Sequence, residues 1–111
     1  MAEERAAAVK NVLLKLALLE SGNDPETVPL GATACPRILT ALEEGEPAIV
    51  TDGDGRSFLI YQKNGKYYMS LSRKLEAMEV SQEMVRNKLR DQNSEAILIH
   101  SIPDLTSLPD F

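Results

Sequence analysis

Pro47-Ala48-Ile49-Val50-Thr51, Ser57-Phe58-Leu59-Ile60-Tyr61-Gln62 and Tyr67-Tyr68-Met69-Ser70-Leu71 are three apolar runs, separated by Asp52-Gly53-Asp54-Gly55 and Lys63-Asn64-Gly65-Lys66. Branched and aromatic side chains suit a pleated, half-buried surface, and Gly-rich or Asn-Gly links suit tight reversals. Asn-Gly between aromatic-rich runs is the favoured two-residue hairpin, because both central positions tolerate positive φ. The stretch predicts a three-stranded antiparallel meander, and the rest of the chain has to be arranged around that sheet.

Downstream of the meander, Ser81 followed by Gln82-Glu83 reads as an N-cap opening a helix over about 81–91. The preceding stretch, 72–80, is open between two readings. Leu71, Leu75, Met78, Val85 and Leu89 fit a helical a/d series, whereas Val80-Ser81 reads as extended chain entering a helix. Asn93-Ser94 ends the helix, and 95–102, Glu-Ala-Ile-Leu-Ile-His-Ser-Ile, reads as a last, largely buried strand. A proline-containing tail follows, in which Leu105, Leu108 and Phe111 are the large apolar residues.

Upstream, residues 3–20 predict a helix. Val9, Val12, Leu13, Leu16 and Leu19 follow the 3-4 spacing of one buried face, and Leu14 and Leu18 lie off it. Gly22 suits the left-handed cap that ends this helix, and a polar loop is expected as far as Thr33. Pro36 belongs in the first turn of a short second helix, which Ile38, Leu39 and Leu42 make apolar on one side and Gly45 closes. The expected fold class is α+β: N-terminal helices, then the antiparallel three-stranded meander, a further helix and a C-terminal strand. Residues 1–111 have room for a single domain with one compact core.

The chain is 43% hydrophobic and 26% charged, values of an ordinary globular protein, and its net charge is −5. Excess negative charge repels phosphate backbones and anionic membranes, which disfavours nucleic acid as the main partner. The charge is uneven: residues 1–46 sum to −4, residues 56–90 sum to +5, and the last 21 residues carry four acids and neither Lys nor Arg. One cysteine cannot form an intramolecular disulfide, which fits a reducing compartment. Val12 to Leu19, the longest apolar stretch, is broken by Lys15 and is too short to span a bilayer. With an N-terminus that begins acidic and lacks a basic signal region, the expected location is cytoplasmic, with no membrane contact.

Chemistry-bearing groupings are sparse. Cys35 at a helix start could gain thiolate character, with His100 as its base, and a Cys35-dependent enzyme is the least favoured alternative. Asp52-Gly53-Asp54-Gly55 resembles the opening of a calcium loop, but Arg56 and Lys63 stand where oxygen ligands are wanted. One Cys and one His cannot make a tetrahedral zinc set, and no phosphate-binding glycine loop precedes a helix. No catalytic residue, metal or cofactor is therefore expected.

The basic hairpin supports an alternative, a nucleic-acid-binding regulator using Lys63, Lys66, Tyr68, Arg73 and Lys74, because aromatics interleaved with cations stack on bases and hold phosphates. Tyr and Lys also suit an exposed hairpin for structural reasons, Tyr favouring strands and Lys guarding edges. The tail has two readings as well: Phe111 docks in a partner's pocket, or Leu105, Leu108 and Phe111 fold back over the sheet. The function these readings favour is a small acidic, non-enzymatic protein-interaction module: an adaptor, a dedicated chaperone or an inhibitor. Its partner is another protein or a second copy of the chain, bound through Leu14, Leu18 and Phe111.

Overall fold

The structure, a computed structural model, describes residues 2–29, 34–52, 55–72, 75–90, 95–100 and 105–111. Its elements in chain order are α1 (Ala2–Glu20), β1 (Pro25–Pro29), α2 (Cys35–Glu43), β2 (Ala48–Thr51), β3 (Ser57–Lys63), β4 (Lys66–Ser70), β5 (Met78–Val80), α3 (Gln82–Leu89) and β6 (Glu95–Ile99). A 3-10 turn, Leu105–Ser107, follows. The fold is α+β, and the strands form one six-stranded antiparallel sheet in the order β1-β6-β2-β3-β4-β5.

The meander forms as the turn chemistry requires. Asn64 and Gly65 both take positive φ, 54° and 80°, and Tyr61 faces Tyr68 across the hairpin. Both residues of a two-residue reversal with this twist need left-handed geometry, which Asn and Gly adopt at least cost. The three-stranded meander is nevertheless only the middle of a larger sheet. At the end of the open stretch 72–80, Met78–Val80 is the strand β5, pairing Met78 with Met69 and Val80 with Tyr67, while residues 73 and 74 lie outside the described residues. At the other side, β6 enters between β1 and β2.

β1 occupies the segment expected to be loop. Its prolines, Pro25 and Pro29, lack N–H donors and exclude a central strand, but an edge strand needs hydrogen bonds on one side only. β1 has that position, paired with β6 alone. α3 starts where the cap signal places it, with Ser81 Oγ accepting from the Met84 N–H at 3.1 Å.

Both faces of the sheet are covered. On one, α2 and α3 supply Ile38, Leu42, Val85 and Leu89, which pack with Val50, Ile60, Met69 and Leu98. On the other, Leu14 and Leu18 of α1 and Leu108 of the tail pack with Ile49, Leu59, Ile97 and Ile99. Burial on two sides explains why β6 is an unbroken apolar run from Ala96 to Ile99. No helix among the described residues is long and apolar enough to cross a membrane.

Candidate functional site

The outward face of α1 carries five of the exposed large apolar residues among those described, the others being Leu71, Leu75, Met78 and Met84. Val9, Val12, Leu13, Leu16 and Leu19 are each between 52% and 61% exposed. Leu14 and Leu18, at 5% and 0%, are the residues that meet the sheet. The two faces are thus exchanged relative to the sequence reading. The longer apolar stripe faces solvent, and Leu14 and Leu18, expected to touch a partner, are buried inside their own domain.

Asn11 explains the orientation. It is 5% exposed and lies one turn before Leu14 on the inward side. Its Nδ2 donates to Glu95 Oε2 at 3.0 Å, and its Oδ1 accepts from Thr51 Oγ1 at 2.8 Å. The Thr51 and Ser57 hydroxyls, both buried, are 2.8 Å apart. The sheet beneath Asn11 is polar at this end, so it accepts an amide, whereas a valine or leucine would leave Thr51 with the Ser57 hydroxyl alone and Glu95 without its amide donor. Lys10 Nζ adds a bond to the Gly55 carbonyl at 2.9 Å. Periodicity alone could not choose between two apolar stripes on one helix; the polar residue in the shorter stripe was the available signal.

Phe111 folds back. With Tyr61 and Leu105 it packs against the cluster around Leu59 and Leu108, and it lines a cavity of about 180 Å³ together with Leu75 and Ala77. The tail is a cover for the sheet here, which makes Phe111 an intramolecular contact.

The hairpin residues are brought together without forming a stacking platform. Tyr61 and Tyr68 stack on each other, ring centroids 5.4 Å apart, and Tyr67 is buried in the opposite layer. Lys63 is exposed, and Lys66 faces Glu79 at 3.6 Å. On α3, the Lys88 ammonium sits 5.6 Å from the centre of the Phe58 ring. Arg73 and Lys74 lie outside the described residues.

Cys35 is buried at the start of α2 as a small core residue. His100 is engaged elsewhere: Nε2 is 3.0 Å from Glu26 Oε1 and Nδ1 is 3.1 Å from Glu46 Oε1. Arg37 also pairs with Glu26, so these four side chains join β1, α2, the entry to β2 and the end of β6. Asp52 Oδ1 accepts from the Arg56 N–H at 3.0 Å, which spends its carboxylate on the β2–β3 turn. No group of three or more His, Cys, Asp or Glu among the described residues is placed to hold a metal ion.

The histidine cluster carries a pH dependence. The bond to Glu46 raises the pKa of His100 above 6.5, partial burial opposes this, and Glu26 adds to the rise. Arg37 first, then His100, hold Glu26 below its ordinary 4.5. A raised histidine stabilises the fold fully below pH 6.5 and ceases to do so as pH climbs through its folded-state value. The Glu26 contribution is present above pH 4.5 and is lost as pH falls through its lowered value. The melting temperature of the wild type is therefore expected to fall towards that of His100→Gln as pH rises from 6.5. A constant gap between the two curves over that window would contradict this role.

Compared with known proteins, the chain matches no family model, and no curated protein or solved structure is significantly similar to it.

Proposed function

We propose that this chain is a non-enzymatic protein-interaction module whose contact surface is the outward face of α1. The observation that carries the reading is the stripe of five large apolar side chains, each more than half exposed, on a helix whose other face is already buried. A helix apolar on both sides is normally enclosed on both sides, and contiguous apolar surface is where soluble proteins meet partners. The large apolar side chains of α2, β2 and β6 are inside, and the other exposed ones among the described residues, Leu71, Leu75, Met78 and Met84, do not share a helix.

Other features fit a binding role better than a chemical one. Cys35 and His100 are each committed to structural contacts, and a single buried thiol suits a reducing, cytoplasmic setting. The nucleic-acid alternative loses support, because the tyrosines face each other or the core and the net charge is −5.

Photo-cross-linking in the source cells tests the surface. A benzophenone amino acid at position 13 or 16 is expected to give one defined adduct, identified by mass spectrometry, which the same probe at position 86 of α3 does not give. Adducts that are absent from 13 and 16, or equally strong from 86, would defeat the reading.

A further inference from the structure

We infer that the outward face of α1 is covered by the α1 of a second copy, packed parallel and in register. The inference rests on the reading of that face as a contact surface and names its occupant.

The stripe has the spacing of a coiled-coil seam. Val9, Val12, Leu16 and Leu19 recur at intervals of three, four and three residues, which are a, d, a and d of a heptad, with Leu13 widening the seam at e. A seam of this period keeps facing a partner helix over about three turns. On the same scheme, the inward residues Asn11, Leu14 and Leu18 fall at c and f, opposite the seam. The body of each protomer therefore lies behind its helix and leaves the seam open to the other copy.

The charges beside the seam choose the orientation. Lys15 immediately precedes Leu16 at a g position, and Glu20 immediately follows Leu19 at an e position. In a parallel pair, each g residue meets the e residue five positions further along the other helix. Lys15 thus meets the partner's Glu20, and the two-fold axis makes the contact twice. An antiparallel pair centred on the same stripe would bring the two Lys15 side chains together instead. Neither Lys15 nor Glu20 has an ion-pair partner among the described residues, so both are available for the contact.

Sedimentation equilibrium of the full chain from low-micromolar to millimolar concentration tests this. The wild type is expected to pass from monomer to dimer with a dissociation constant on the order of micromolar, as a small interface implies. Leu16→Glu is expected to stay monomeric with unchanged circular dichroism and melting, since that side chain is half exposed. Lys15→Glu sets two like-charge pairs in the seam and should weaken the dimer about tenfold, less so at high salt. Lys15→Glu/Glu20→Lys should return it to within about twofold of wild type.

A wild type that remains monomeric throughout, a Leu16→Glu variant that still dimerises, or a double charge swap no tighter than Lys15→Glu alone would each overturn the inference. Failure of the second copy is distinguishable from failure of the surface. A monomeric wild type that still cross-links from position 13 or 16 to a different protein removes only the second copy. A monomer with no such adduct removes both.

Discussion

Leu18→Ala is expected to cost about 2–5 kcal/mol of unfolding free energy, whereas Leu16→Ala, two residues away, is expected to change it by less than about 0.5 kcal/mol. Leu18 is fully enclosed between α1 and the sheet, packed with Ile97 and Ile99, so truncation loses burial and leaves a cavity. The Leu16 side chain is 52% exposed and points away from the sheet. Urea unfolding of the two variants, at a concentration low enough to keep the chain monomeric, measures the contrast. If the apolar period of 9, 12, 13, 16 and 19 faced the core instead, the order of the two costs would reverse. The comparison therefore reads the rotation of α1 about its own axis, on which the assignment of the contact surface depends.

Asn11→Leu is the second large effect, with an expected loss of about 1–3 kcal/mol despite the gain in apolar character. The substitution removes the donor to Glu95 and one of the two partners of the Thr51 hydroxyl, which is closed to solvent and keeps only Ser57. The lost bonds to Glu95 and Thr51 account for most of the cost, because Thr51 then keeps only the Ser57 hydroxyl and the leucine lies against this polar end of the sheet. In a Thr51→Val background the same change at position 11 should cost distinctly less, since both partners of the bond are then apolar. Equal costs in the two backgrounds would show that Asn11 does not act through Thr51. Together the two experiments separate the apolar and polar halves of what orients α1.

The parts of this fold legible in the chain were those determined by neighbours in sequence. Asn64-Gly65 announced its hairpin because the positive φ values are a property of those two residues. Ser81 announced α3 because an N-cap hydroxyl needs only the amide three residues on, here Met84. The apolar run Ala96–Ile99 announced a strand buried on both faces, since no alternation was present to suggest a wet side.

What escaped was decided by distant pairing. Pro25–Pro29 has the composition of a loop and is a strand only because β6 lies beside it. Met78–Val80 was balanced between helix and strand until β4 supplied the partner edge. The outward direction of the longer α1 stripe was missed for a related reason: α1 has two apolar stripes, and the shorter one is drawn inward by Asn11 and the polar end of the sheet. Glu26 and His100, 74 positions apart, meet only because β1 and β6 are neighbours, and local sequence carries no trace of that.

The most direct test of the central claim is a methyl-resolved NMR dilution series on the full wild-type chain. The claim predicts that concentration shifts the methyl signals of Val9, Val12, Leu13, Leu16 and Leu19 and leaves those of Leu14 and Leu18 in place. Shifts centred on the 61–68 hairpin or on the tail around Leu108, or spectra that do not change with concentration at all, would contradict it.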